Sequence, residues 1–318
     1  VINPFIGEKY ISGKFFPNSV QRAPSKREQT VRLRASSDSF FWYRVNNSIM
    51  IEYLVLISCI GFLAFLIPGR HQKYAAIIGW TFIVLSLFYE LPYYISLNNF
   101  LYPIMAVLSV PFLIITGRYL LIGDVRVMDL SRAAAVAFLI YAPFEYIPAL
   151  GDWLIGVVVG QVVWILDALN YPVTLTDWNI IARNTFRVEI ILACTGIQSI
   201  AIMLGVAAAV PTTIRQKIYA FLIIVPTIYF LNLLRNVFVI IAYTEQWFPY
   251  YPEIASNGEF GYESFFWAHN VIAELLALVC LVFIAYGLFT IIPKLGGFAD
   301  DLYQLYSGEI RKAFGKGK

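Results

Sequence analysis

Beyond a polar opening stretch, the hydrophobic positions of this chain come in long unbroken runs. They show neither the alternation of a half-buried strand nor the narrow stripe of a soluble amphipathic helix. Eight apolar runs follow one another, at about 49–67, 74–95, 100–121, 133–150, 153–169, 190–210, 218–243 and 268–292. A helix rises ~1.5 Å per residue, so roughly 20 apolar residues cross the hydrocarbon of a bilayer, and most of the runs are that long. The fourth and fifth runs are the weakest. Only Gly151 and Asp152 separate them, and the fourth contains Pro143, Glu145 and Pro148. They are expected to form either a tight helical hairpin or one crossing plus a re-entrant segment. The pattern predicts an all-α fold: a polytopic integral membrane helix bundle of about eight transmembrane helices.

Composition agrees with the membrane reading. The 318 residues are 59% hydrophobic and only 14% charged, whereas a soluble domain carries about a quarter charged residues. A net charge of +3 is too small to argue for a nucleic-acid partner. The placement of charge is more informative than its total. Residues 1–48 form a basic N-terminal segment with Lys9, Lys14, Arg22, Lys26, Arg27, Arg32, Arg34 and Arg44, and with aromatic residues at 40–43 that suit a membrane interface. The 211–217 loop carries Arg215 and Lys217 and no acid, and the 293–318 tail carries Lys294, Arg311, Lys312, Lys316 and Lys318. The 244–264 loop has Glu245, Glu253, Glu259 and Glu263 and no Lys or Arg. The positive-inside rule then places residues 1–48, 211–217 and 293–318 in the cytoplasm and 244–264 outside. Arg70, Lys73, Arg118, Arg126 and Arg132 disagree, because seven crossings with an external leader would put them inside. The larger charge of the leader favours eight.

The unusual residues lie in the last three runs. Cys194 sits in EIILACTGIQSI, about one turn inside the outer end of its expected helix, where N-terminal amides favour thiolate. Gln198, at i+4, shares its face. A lone Cys in an apolar helix is most often a small buried filler, and Cys59 and Cys280 are read that way. Arg235 lies in FLNLLRNVFVII between Asn232 and Asn236. With a helix starting near residue 218, it stands roughly 25 Å up, level with Cys194. A charge at membrane depth is costly and faces protein or water; the competing reading is an arginine that snorkels to the interface. His269 opens the last run in FFWAHNVIAELLAL, with Asn270 and Glu274 on one face deeper in. A single interfacial His is as often structural as functional. Alternating helix directions bring Cys194, Arg235 and His269 to one membrane face. Together they supply a nucleophile, an oxyanion-stabilising cation and an acid–base group, the set that acyl transfer needs.

At these residues the chain resembles the archaeosortase/exosortase family of membrane-embedded cysteine transpeptidases. The resemblance rests on ACTGIQS at 193–199, LRN at 234–236 and AHN at 268–270. It covers about 130–292, and CTGIQSI looks closer to the archaeal branch than to the bacterial one. It implies a catalytic bundle over 49–292 with its site on the outer face of the cell membrane. Family members act on secreted proteins that end in a tripartite sorting signal: a short motif, a transmembrane helix and a basic end. Cys194 would form a thioester acyl-enzyme, His269 would move the proton and Arg235 would hold the oxyanion. Gln198, Asn232, Asn236, Asn270 and Glu274 would support substrate or site. A membrane lipid amine is the implied acceptor. No metal or organic cofactor is called for, since only two histidines are present and no cysteine spacing suggests a metal. One alternative is a transporter or channel built on an Arg235–Glu274 pair, with Glu145 in the proline-broken fourth run. Another is a non-catalytic membrane scaffold.

Overall fold

The structure, a computed structural model, describes residues 50–96, 101–255, 260–313 and 315. The basic segment expected over 1–48 lies outside them. Among the described residues six helices are long and apolar enough to cross a membrane, and two more are apolar but shorter. They follow the order of the eight apolar runs, so the chain is a mostly helical multi-pass membrane protein, but only six reach spanning length.

The chain divides into two compact units, one up to Asp124 and one from Val125 onward. The first unit contains α1 (Met50–Phe65), α2 (Gln72–Tyr89), α3 (Leu91–Ser96) and α4 (Leu101–Ile122). Ser58 on α1 donates its hydroxyl to the Gly79 carbonyl of α2 at 2.8 Å. Small residues allow this approach, which is how helices associate in lipid, where no hydrophobic drive separates helix from tail. Trp80 then meets Phe62 at 5.0 Å and Phe112 at 5.1 Å, edge to face in both cases, tying α1, α2 and α4 together.

The second unit contains the site. Its helices are α5 (Val125–Tyr146), α6 (Pro148–Ala168), α7 (Ile197–Ala207), α8 (Ile214–Thr244), α9 (Pro252–Ala255), α10 (Tyr262–Phe265), α11 (Glu274–Ile291) and α12 (Lys294–Ala313), with a π-helical stretch Phe266–Ala273 running into α11. The weak fourth and fifth runs form two separate helices, and the break falls at Ile147, not at Gly151 and Asp152. Pro148 occupies the first turn of α6. There its missing N–H costs nothing, while its ring excludes a continuous helix through the preceding turn. The tail after 293 is helical over Lys294–Ala313, as α12.

The all-α expectation needs a correction. Between α6 and α7 the chain forms an antiparallel three-stranded sheet, β1 (Thr174–Asp177), β2 (Ile180–Arg183) and β3 (Phe186–Glu189), in the order β1-β2-β3. Asn184 takes φ 55° in the two-residue β2–β3 loop, a left-handed conformation that Asn tolerates and tight hairpins need. The buried positions Ile181, Val188 and Ile190 join Val158, Val162 and Leu166 of α6 and Val237 and Ile240 of α8 in one core cluster. Polar contacts fasten the same sheet to the end of α8. Arg183 pairs with Glu245 at 2.9 Å and lies 3.5 Å over the Tyr171 ring, and the Tyr171 hydroxyl donates to Glu245 at 2.8 Å. A second core cluster joins α7, α8 and α11 through Ile200, Met203, Ile224, Ile228, Ile284 and Leu288.

Candidate active site

The last third of α8 is the anchor. Asn232 and Asn236 are four residues apart and so share one face of the helix. Their side-chain amides both donate to the main-chain carbonyl of Cys194, at 2.6 Å and 2.8 Å. The carbonyl has two lone pairs, and this clamp uses both. Cys194 lies in a short 3-10 turn, Leu192–Thr195, closed by its own N–H to the Ile191 carbonyl at 2.8 Å and by Thr195 Oγ1 to the Leu192 carbonyl at 2.7 Å. Gly196 follows at φ 79°, and a Cβ there would lie 3.1 Å from the Cβ of Asn232. Only glycine suits both the left-handed backbone and that proximity.

The expectation that Cys194 sits one turn inside a helix is therefore corrected. Strand β3 leads through Ile190 into the turn, and α7 begins only at Ile197. The expected thiolate-favouring environment is corrected as well. Cys194 lies outside the apolar helices, and burial pushes its thiol above the ordinary value. A backbone hydrogen bond at Ile191 and the Arg235 guanidinium pull the other way, and Glu189 adds to the rise.

Arg235 is half-buried between the two asparagines. Its Nη2 lies 3.0 Å from Nε2 of His269, and Cys194 is within its electrostatic reach. A guanidinium has donors only, so Nε2 must accept. The other ring nitrogen, Nδ1, then carries the proton and donates to Oδ1 of Asn270 at 2.7 Å. This fixes a neutral tautomer with its lone pair toward Arg235. His269 lies within the π-helical stretch, a widened turn often found at functional sites. Its ring stacks on Phe265 at 4.9 Å, and Phe265 meets Tyr243 of α8, which meets Phe186 of β3. A ladder of rings thus runs from the sheet to the imidazole.

The structure brings Cys194, Asn232, Arg235, Asn236, His269 and Asn270 into one cluster. Arg235, not the thiol, is the hydrogen-bond partner of His269 there. Glu274 is exposed at the start of α11, within electrostatic reach of Arg235, and no salt bridge joins them among the described residues. The ion pair on which a transporter reading would rest is thus not formed among these residues.

Gln198 faces a different set of partners. Its Nε2 donates to the Tyr141 hydroxyl at 3.1 Å, and that hydroxyl donates to Glu145 Oε2 at 2.5 Å. Because the hydroxyl's one proton goes to the carboxylate, the amide orientation is settled. Its other atom, Oε1, is buried and has no hydrogen-bond partner among the described residues. These three residues line a cleft of about 310 Å³, with Asp152, Trp178, Asn179 and Glu189 around it and Ile191, Leu192 and Ala193 as the wall next to Cys194. The sequence reading missed this cleft. Its one visible signal was Glu145 inside an apolar run, four residues after Tyr141 and so on the same helix face.

The Transmembrane exosortase family model matches residues 42–256, which include Cys194 and Arg235 and end ahead of His269. Archaeosortase A of Haloferax volcanii is 29% identical over 265 residues, covering 76% of this chain and 86% of that relative. Archaeosortase A of Natronomonas pharaonis is 30% identical over 225 residues, covering 65% of this chain and 71% of that relative. No solved structure matches the chain.

Proposed function

This chain belongs to the transmembrane exosortase family, and on that premise we propose that it is a protein-sorting cysteine transpeptidase with Cys194 as nucleophile. It cleaves the C-terminal sorting signal of secreted proteins through a thioester acyl-enzyme and passes them to a membrane lipid amine. The observation that carries this reading is the pairing within one turn of α8. Asn232 and Asn236 clamp the Cys194 backbone, and Arg235 between them meets the His269 imidazole at 3.0 Å.

The cluster supports the following sequence. The Cys194 thiol gives its proton to the neutral imidazole as sulfur attacks the scissile carbonyl. The guanidinium, which shares a helical turn with the clamp, stabilises the oxyanion and lowers the cost of forming thiolate. As the intermediate collapses, the C–N bond breaks and His269 returns the proton to the departing amine. The signal peptide leaves and the thioester remains. The hydrogen bond from Nδ1–H to Asn270 makes Nε2 the basic atom of His269, and Nε2 takes the proton once Arg235 turns from the imidazole to the oxyanion.

Orientation belongs to the same proposal. The acidic 244–264 segment faces outward, 211–217 and the basic tail face the cytoplasm, and the site opens on the outer side, where a secreted substrate arrives. Residues 49–292 form the catalytic bundle between two basic cytoplasmic ends. The test is co-expression with a secreted reporter that ends in a short motif, a membrane helix and basic residues. Wild type should shorten the reporter, and Cys194→Ala at the same membrane level should not. Equal processing by both would remove Cys194 from the mechanism.

A further inference from the structure

We propose that Phe265 is a positioning residue for the transfer and that its ring face supports the charge His269 takes up; this rests on the transpeptidase reading above. When the Cys194 thiol gives its proton to the imidazole, that ring becomes a cation. A Ser-His-Asp triad meets this charge with a carboxylate on the far ring nitrogen. Here the far nitrogen, Nδ1, donates to Oδ1 of Asn270, an amide that orients the ring and brings no charge. No carboxylate bonds to the imidazole among the described residues. The charged and titratable groups around it are Arg235 of α8, Cys194 of the 3-10 turn and Glu274 at the start of α11, with Tyr243 and Tyr262 behind Phe265. Arg235 stays close after it turns to the oxyanion, and a second cation beside it is unfavourable.

Phe265 supplies what is missing. Its ring stacks on the imidazole at 4.9 Å with 13° between the planes. The face of an aromatic ring is negative and attracts a cation set over it, so the stack favours imidazolium over imidazole. Two sets of contacts hold it. Phe265 and His269 are four residues apart and so are neighbours along the helix, with the widened π-helical turn between their backbones. Tyr243 of α8 meets the Phe265 ring edge to face at 5.4 Å, and Tyr262 meets it at 5.5 Å. Ser264, buried just ahead of Phe265, donates to the Ala242 carbonyl at 3.0 Å and accepts from the Phe248 N–H at 3.0 Å. This pins the stretch to the end of α8. The imidazole is thus fixed relative to the helix that carries Arg235 and the Cys194 clamp, through a ring and not through a carboxylate.

The test uses the full chain in excess over the secreted reporter, both reconstituted in the same phosphatidylcholine vesicles, and follows a single turnover of reporter shortening across pH. The acid limb of the rate marks loss of the base as His269 becomes protonated. Phe265→Leu should slow the plateau by roughly 3–10-fold and move the acid limb down by about one pH unit, the shift that matches a tenfold loss of support for imidazolium. Pentafluorophenylalanine in place of Phe265 keeps the ring's shape but not its negative face. It should move the limb in the same direction, and it decides the matter if the leucine variant does not fold.

A purely structural role predicts the reverse. A loosened site admits water, water favours imidazolium, and the limb moves up. An upward shift in the leucine variant, or an unmoved limb with pentafluorophenylalanine, overturns the proposal while wild-type processing leaves the transpeptidase reading intact. Wild type that shortens the reporter no faster than Cys194→Ala refutes the transpeptidase reading, and the role of Phe265 falls with it.

Discussion

Replacing Asn232 and Asn236 by leucine, singly and together, probes the clamp that positions Cys194. Leucine keeps the four-atom side chain branched at Cγ, so the change chiefly removes the hydrogen bonds. Each single variant removes one amide from the Cys194 carbonyl and leaves the other in place. The loss is then one neutral hydrogen bond, about 1 kcal/mol. The double variant removes both and leaves the carbonyl without a partner, which adds roughly 1–3 kcal/mol of desolvation cost. The expected totals are about 1 kcal/mol for each single variant and about 3–5 kcal/mol for the pair, a coupling well above the scatter of independent sites. The assay is equilibrium unfolding in mixed detergent micelles. The double variant should also lose reporter processing, since the Cys194 turn is no longer held against α8. If the two effects simply add, to within about 0.5 kcal/mol, the amides do not share the Cys194 carbonyl and the clamp is refuted.

Gly196→Ala should cost about 2 kcal/mol in the same unfolding assay, from the left-handed backbone and the approach to Asn232; unchanged stability would contradict the turn. His269→Gln separates two roles, because its side-chain oxygen can still accept from Arg235 but cannot take a proton. It should keep stability but lose processing by roughly 100-fold or more, as measured by reporter cleavage, and retained activity would reduce His269 to a support for Arg235. Alkylation of Cys194 by iodoacetamide should rise with a midpoint above that of an ordinary thiol, since burial raises it. Arg235→Gln should move the midpoint further up, because it removes a positive charge that favours thiolate; a downward move would contradict the proximity of the two groups.

The helices were legible because each apolar run is long and uninterrupted, and the order of the eight runs is the order of the apolar helices. The sheet was not legible. Its strands are only four residues long, and β1 is exposed along its whole length, so no alternation between a buried and a wet face marks it. What holds it is tertiary, namely burial of Ile181 and Val188 against α6 and α8, and Arg183 against Tyr171 and Glu245. The LRN and AHN motifs carried the arginine–histidine meeting, because polar residues at membrane depth must find each other. The surroundings of Cys194 were misread for a local reason. ILACTGI carries no charge and no proline and lies in an apolar run, which reads as helix, and only Gly196 betrays the turn. The bond from Tyr141 to Glu145 falls at helical spacing in a run that looked weak because of its prolines, and the partnership with Gln198 on α7 has no counterpart in sequence spacing.

The central claim is a covalent thioester on Cys194, and it can be read directly. Membranes holding this protein and the secreted reporter would be quenched in acid during processing, digested and mapped by mass. The account predicts a hydroxylamine-labile adduct on the Cys194 peptide whose mass matches the new C-terminal end of the reporter, and no adduct on Cys59 or Cys280. Ongoing processing with Cys194 unmodified, or an adduct that persists in Cys194→Ala, would contradict it.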